Sequence, residues 1–215
     1  MDNIEVLIHI KPDNSVWIET RGPTNTALKQ VHPFDVLKAF LALEGKNTVL
    51  GTDLPRGCIH YAASLKEGTL VGQAFVLYRP EHIRTVSYYD TKYTIPIPKM
   101  VYKFILCGEH IEECYVAVVD TDNLQDRSPI YNFPFGTAFS EGGRGARICF
   151  GRNRLPRIEN PKQLSGLPDY FLDLPFSEVS RDIFVRLNGM EEFPYALVAP
   201  IGAYGDFKIA WEQEE

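Results

Sequence analysis

The sequence predicts an α+β fold: an antiparallel β-meander flanked by helices, extended at the N-terminus by a hairpin and a helix. Three observations predict it. β-branched and aromatic runs follow one another between residues 70 and 120 with short breaks between them. Helical patterns fall before and after that block. Alternating β-α-β units, which would signal a parallel sheet, are absent.

The elements follow in order. Ile4 to Ile10 is an apolar-rich run, and Lys11-Pro-Asp-Asn14 is a polar turn leading to Ser15–Glu19, so the pair reads as a hairpin. His32-Pro33 starts a helix with Phe34, Leu37, Phe40, Leu41 and Leu43 on its apolar positions. Gly45 is its stop. Residues 46–57 are polar and turn-rich and read as a connector.

Leu70–Tyr78, Ile83–Tyr89, Met100–Cys107 and Cys114–Asp120 read as strands, with Arg79-Pro80 breaking the first. Gly108–Glu113 joins the last two. Pro96 and Pro98 bracket Ile97; each lacks a backbone donor, so the pair forbids a helix or a central strand and shapes an edge or bend. Beyond residue 149, Pro168 opens a short helix through Leu172. Ser177 caps a second helix that buries Val179, Ile183, Phe184 and Leu187 and stops at Gly189. Tyr195–Ile201 and Phe207–Trp211 read as extended. Residues 1–53 are thus an N-terminal extension and 54–215 the main domain.

Composition bounds the function. Apolar residues make up 45% and charged residues 23%, as in ordinary globular proteins, and 215 residues can bury a core without staples. The net charge of −6 disfavours bulk nucleic-acid binding, although a local basic patch can still hold an anion. Cys58, Cys107, Cys114 and Cys149 form no Cys-x-x-Cys pair and have no histidine at zinc-ligand spacing. No metal and no cofactor is expected. The acidic N-terminus has no signal-peptide core, and no apolar run approaches the ~20 residues of a membrane helix. The expected compartment is cytoplasmic, with reduced thiols.

One segment concentrates the chemistry. It runs Tyr131-Asn-Phe-Pro-Phe-Gly-Thr-Ala-Phe-Ser-Glu-Gly-Gly-Arg-Gly-Ala-Arg-Ile-Cys149-Phe-Gly-Arg152. Between Gly142 and Arg157 there is no acidic residue, but Arg144, Arg147, Arg152, Arg154 and Arg157 all lie there. Neighbouring positive charge favours thiolate over thiol, so Cys149 is the leading candidate nucleophile. Read without context, Cys149 is equally an inert apolar residue at a strand end. The glycine run lacks the lysine–hydroxyl pair of a phosphate loop and opens no helix. The arginines read as a solvated basic hairpin or as a docking surface for an acidic partner or carboxylate tail.

The order of landmarks resembles that of ubiquitin-conjugating enzymes: a helical element, an antiparallel meander, an aromatic-proline run, a cysteine, then helices. Pro134-Phe135-Gly136-Thr137-Ala138-Phe139 and Ile148-Cys149-Phe150-Gly151 stand where that family has its aromatic-proline and Ile-Cys segments. The chain is more similar still to the prokaryotic ubiquitin-conjugating-enzyme-like family D, a branch resembling protein B of plasmid-associated PRTRC systems. Ile95-Pro-Ile-Pro98, Leu54-Pro55-Arg56-Gly57 and Tyr78-Arg79-Pro80 match its other landmarks, and the resemblance spans residues 54–190. It departs from the eukaryotic pattern at Thr137, where an asparagine is usual.

That resemblance implies a carrier enzyme. Cys149 would accept a ubiquitin-like protein as a thioester from an activating enzyme and pass it to an amine, since a thiolate is both nucleophile and leaving group. Thr137, Asn153 and backbone amides of the glycine loop are the candidate oxyanion donors, and losing one such donor costs about 3–4 kcal/mol. Arg144, Arg147 and Arg152 are the candidate partner-binding residues. Arg147 and Cys149 are two apart and share a face if extended. The implied partners are a ubiquitin-like protein and its activating enzyme, with no membrane and no nucleic acid. Relatives of this kind sit in plasmid-maintenance or antiviral gene clusters. The alternative is a non-catalytic scaffold that binds a ubiquitin-like protein. A third reading, a thiol hydrolase, requires a histidine beside Cys149.

Overall fold

The computed structural model describes residues 5–10, 15–21, 26–32, 35, 54–66, 69–88, 90–136, 138–140, 144–150, 155–174 and 180–211. Backbone contacts divide it into two compact units, Met1–Thr52 and Asp53–Glu215.

The first unit contains a three-stranded antiparallel sheet. β1 (Glu5–Ile10) pairs with β2 (Val16–Arg21), and β2 pairs with β3 (Thr26–Val31). The hairpin expected from the sequence therefore gains a third strand. Thr26–Val31 alternates poorly, and its first five residues are exposed, so no apolar pattern announces it. Of the helix expected after His32-Pro33, only Asp35 is described, and it is helical.

The second unit is mixed α and β, rich in strands and antiparallel. Its main sheet runs β4 (Cys58–Lys66), β5 (Thr69–Arg79), β8 (Met100–Cys107) and β9 (His110–Val118) side by side. Along the free edge of β9 lie β12 (Ala146–Ile148) and β10 (Pro129–Tyr131). β11 (Ala138–Ser140) pairs β12 on its far side, and β13 (Pro200–Ala203) pairs β10. Between β5 and β8 the chain makes a separate two-stranded ribbon of β6 (His82–Tyr88) and β7 (Thr91–Ile97).

Strand alternation explains the packing. On β8, Met100, Tyr102, Phe104 and Leu106 point one way, and Val101, Lys103 and Ile105 the other; on β9, Cys114, Val116 and Val118 oppose Tyr115, Ala117 and Val119. Both faces are buried, so Met100–Leu106 and Cys114–Val118 are apolar on both sides apart from Lys103. The first face is covered by Phe133, Phe135 and two helices, α1 (Leu167–Leu172) and α2 (Ser180–Leu187), which contribute Phe171, Leu172, Phe184 and Leu187. The second is covered by the chain end, through Tyr204 and Phe207 of α3 (Tyr204–Lys208) and Trp211.

That second face holds a buried cation. Lys103 is 1% exposed. Its Nζ donates to the Ile209 carbonyl at 3.0 Å and lies 4.6 Å from the Tyr115 ring centre and 5.1 Å from that of Phe207. Charge-assisted hydrogen bonding and two aromatic faces make such burial tolerable.

Four expectations change. β4 lies where no strand was read, since Cys58–Lys66 mixes small and polar residues at the sheet edge. The β8–β9 connection is a Gly108-Glu109 turn, with β9 starting at His110 rather than Cys114. Phe207 is helical, because one short turn sets Tyr204 and Phe207 on the same face of the sheet. Tyr195–Leu197 forms a 3₁₀ turn within the stretch read as extended. Ser177 and Val179 lie outside the described residues. Pro96 sits opposite Ile83 in β7, whose only strand neighbour among the described residues is β6, so the missing amide falls on an edge strand. Among the described residues, no helix is long and apolar enough to cross a membrane.

Candidate functional site

Cys149 follows directly on β12. This strand is hydrogen-bonded to β9 with Ala146 opposite Val116 and Arg147 opposite Tyr115. Burial alternates along it: Ala146 and Ile148 are buried in the core, whereas Arg147 and Cys149 are exposed. The thiol and Arg147 therefore share a face, as the two-residue spacing requires. On the far side of Cys149, Phe150 turns back to the core and packs edge-on against Phe171 of α1, 6.4 Å between centres. A buried Ile148 and a half-buried Phe150 thus bracket the thiol and hold it outward.

The aromatic-proline run is the plug that fixes this loop. Phe133 and Phe135 are buried, their rings 5.2 Å apart; Phe133 meets Phe171 at 5.3 Å, and Phe135 meets Phe184 at 5.6 Å. Ser180 of α2 is fully buried and donates its hydroxyl to the Phe135 carbonyl. Upstream, the Asn132 amide N–H donates to the Ala199 carbonyl at 3.0 Å, and the Ala199 N–H donates back to Asn132 Oδ1 at 2.6 Å. The run that precedes the cysteine in sequence is bonded at both ends to segments following it.

Gly145 has a packing role that the sequence did not reveal. It is buried at φ +90, and a Cβ there would sit 2.6 Å from Phe207 Cε2 and 3.0 Å from the Val116 carbonyl oxygen. Only glycine lets the chain enter β12 against both α3 and β9. The partner ring lies more than sixty positions away in sequence, beyond any local signal.

Two of the described arginines, Arg147 and Arg157, are paired with carboxylates. Strand pairing brings carboxylates to a segment that contains none. Arg147 Nη2 lies 3.6 Å from Glu113 of β9, and Arg157 is paired with Glu109 in the β8–β9 turn. The Ile158 N–H also donates to the Glu109 carbonyl at 2.8 Å. Glu113 in turn accepts from the Tyr115 hydroxyl at 2.9 Å. Arg144 is exposed. Thr137, Asn153 and Arg152 lie outside the described residues.

The remaining thiols are free and differ in setting. Burial pushes the Cys114 thiol well up, and burial also raises Cys58 against the lowering effect of backbone hydrogen bonds from His60 and Val76. Both are thereby held as poor nucleophiles. Among the described residues, Cys149 makes no hydrogen bond to a histidine; His82 Nδ1 instead faces the Pro80 carbonyl at 3.0 Å, and His110 is exposed. No cluster of metal-ligating side chains occurs among the described residues.

Two sequence landmarks converge at the end of β5. Pro55-Arg56-Gly57-Cys58 is a tight turn, closed by Cys58 N–H to the Pro55 carbonyl at 3.1 Å. Gly57 takes φ +80, and a Cβ there would meet the Tyr78 carbonyl oxygen at 2.8 Å. The Tyr78 N–H donates to the Gly57 carbonyl at 2.8 Å, so this turn lies against the end of β5 beside Arg79. Comparison of the chain with family models, with curated proteins and with solved structures finds no match in any of the three.

Proposed function

We propose that the chain is a ubiquitin-conjugating-enzyme-like carrier. The observation that carries this reading is the exposed Cys149 at the end of β12. It stands after an antiparallel meander and a core-packed aromatic-proline run, and before helices that cover one sheet face. That is the chain order of ubiquitin-conjugating enzymes. The thiolate of Cys149 attacks the thioester carbonyl that joins a ubiquitin-like C-terminus to its activating enzyme. The tetrahedral intermediate expels the activating enzyme's thiolate, leaving a new thioester on Cys149. An amine then attacks, and the Cys149 thiolate departs. Thr137 and Asn153 are assigned the oxyanion, and Arg144, Arg147 and Arg152 the partner's surface. The setting is cytoplasmic and bacterial, in a plasmid-associated or antiviral system.

The test mixes the protein with a ubiquitin-like partner, its activating enzyme and ATP, followed by a non-reducing gel. A thioester-linked band that a reductant removes and that Cys149→Ala lacks is the expected result. The same band in Cys149→Ala refutes the reading.

A second reading, a non-catalytic scaffold for a ubiquitin-like protein, is favoured by the pairing of Arg147 and Arg157 with Glu113 and Glu109. With these carboxylates engaged, fewer free arginine charges are left on this face for a covalent role than the sequence alone implies. Alkylation of Cys149 at neutral pH no faster than that of free cysteine supports the scaffold; markedly faster alkylation supports the carrier.

A further inference from the structure

We propose that the cavity lined by the start of β8, the β5–β6 turn and α1 binds a small uncharged phenol, a single ring bearing one hydroxyl. No residue of the Cys149 loop lines it, and it does not depend on the reading of that thiol. The cavity measures about 190 Å³. An apolar cavity of about 150 Å³ is enough to hold benzene. Pro80 from the strand side, Pro168 and Leu172 from the helix side, and Met100 with the Tyr102 ring give it a mostly apolar wall. Its charged residues do not call for an ion. Arg79 and Asp169 also line it, but they engage each other at 2.9 Å. Arg84 bridges Asp169 and Asp173 at 2.8 and 2.6 Å, so two guanidinium groups stand against two carboxylates.

Two polar groups on this lining are poorly used. Tyr102 is fully buried, its ring held against Phe104 at 6.3 Å and Phe171 at 6.1 Å between centres. Its hydroxyl donates to Met100 Sδ at 3.5 Å and has no other partner among the described residues. A thioether is a weak acceptor, and buried hydroxyls are ordinarily better satisfied than this. Burial, then the nearby Cys114, pushes the Tyr102 hydroxyl up, so it keeps its proton to donate at neutral pH. Met100 is unbranched and adapts at little cost, so a ligand oxygen can take the place of its sulfur. His82 is the second group. Its Nδ1 lies 3.0 Å from the Pro80 carbonyl, which can only accept, so Nδ1 carries the proton and Nε2 of the neutral ring is an acceptor. Among the described residues Nε2 has no partner. A phenol answers both groups: its oxygen accepts from Tyr102, its proton goes to His82, and its ring fills the apolar space. A carboxylate has no proton to give and brings a charge with no free cation to meet it. A plain hydrocarbon leaves both polar groups as they were.

The experiment isotope-labels the methionine methyl groups of the full chain and follows them by NMR as phenol is added. The chain has three methionines, Met1, Met100 and Met190; only Met100 lines the cavity, so the other two are internal controls. A saturable shift of the Met100 methyl is expected, with half-saturation at about 1 mM or below, which is within reach of so small a ligand. Benzene should bind at least about fivefold more weakly, the scale of one net hydrogen bond, and benzoate should give no saturable shift. Tyr102→Phe and His82→Leu should each weaken phenol about fivefold and leave benzene unchanged. Absence of a saturable Met100 shift overturns the proposal. So does benzene binding as tightly as phenol, phenol affinity unchanged in both variants, or Met190 shifting in step with Met100. Circular dichroism of the variants separates lost binding from lost folding.

Discussion

Gly145→Ala tests whether the entry to the cysteine strand is set by packing from the chain end. Two costs add. Gly145 has φ +90, a region where an L side chain costs about 1–2 kcal/mol. The new Cβ would also meet Phe207 Cε2 at 2.6 Å, Cδ2 at 2.9 Å and the Val116 carbonyl oxygen at 3.0 Å. Phe207 is fully buried, so its ring has little room to retreat, and overpacking of this kind costs about 1–3 kcal/mol. The expected total is about 2–5 kcal/mol, read from the urea midpoint at unchanged slope. Fluorescence can be confined to the second unit, because its only tryptophan is Trp211 and a Trp17→Phe background silences the other. Repeating the substitution in Phe207→Leu separates the two costs. The smaller side chain relieves the clash but not the backbone strain, so the pair should show a favourable coupling of about 1–3 kcal/mol. A cost below about 0.5 kcal/mol in the parent, or the same cost in both backgrounds, would refute the reasoning.

Two further outcomes follow from the electrostatics. Arg84→Gln removes the bridge from β6 to Asp169 and Asp173; because both carboxylates are more than half exposed, the loss should be about 1 kcal/mol or less by denaturant melt and should shrink at high salt. Stability should also fall at both ends of the pH scale. Burial, then the nearby Asp126, pushes the Tyr204 hydroxyl up to about 12, so between about 10 and 12 the folded chain holds a proton that the unfolded chain releases, and stability declines as pH rises. Burial, then the Lys208 charge, lowers His60, so stability contributed above about 6.5 is lost as pH falls through the folded value. His60→Gln should flatten the acid limb, and Tyr204→Phe the alkaline one, in melts across pH.

What the sequence disclosed follows from how local each signal is. Met100–Cys107 is apolar or aromatic apart from Lys103 and became the central strand β8 with the same bounds. Pro168 and the Phe184/Leu187 pattern marked helices because start signals and a buried stripe are local properties. β3 and β4 escaped notice because exposed or edge strands need little apolar alternation. The last segment misled for a different reason. Tyr204 and Phe207 face the sheet three residues apart, a spacing too brief to distinguish one helical turn from extended chain.

The candidate site shows a sharper version of the same limit. The common face of Arg147 and Cys149 was readable, because period-two alternation is a property of the strand alone, whereas the exposure of Cys149 was not, since a lone thiol at a strand end is as often buried. The charge around it was not. A stretch without one acidic residue gained Glu109 and Glu113 only when β12 docked on β9 and residues 157 and 158 met the β8–β9 turn. Local charge counting therefore overstates the field at a thiol whenever its strand lies along an edge lined with carboxylates. The same docking explains the geometry of the loop: Gly145 must lack a side chain because α3 and β9 converge on it, and the aromatic-proline run must be buried because α1 and α2 close over it. The thiol is thus displayed by contacts made far from it in sequence, and the cation that shares its face, Arg147, is engaged by Glu113 in a half-exposed 3.6 Å pair.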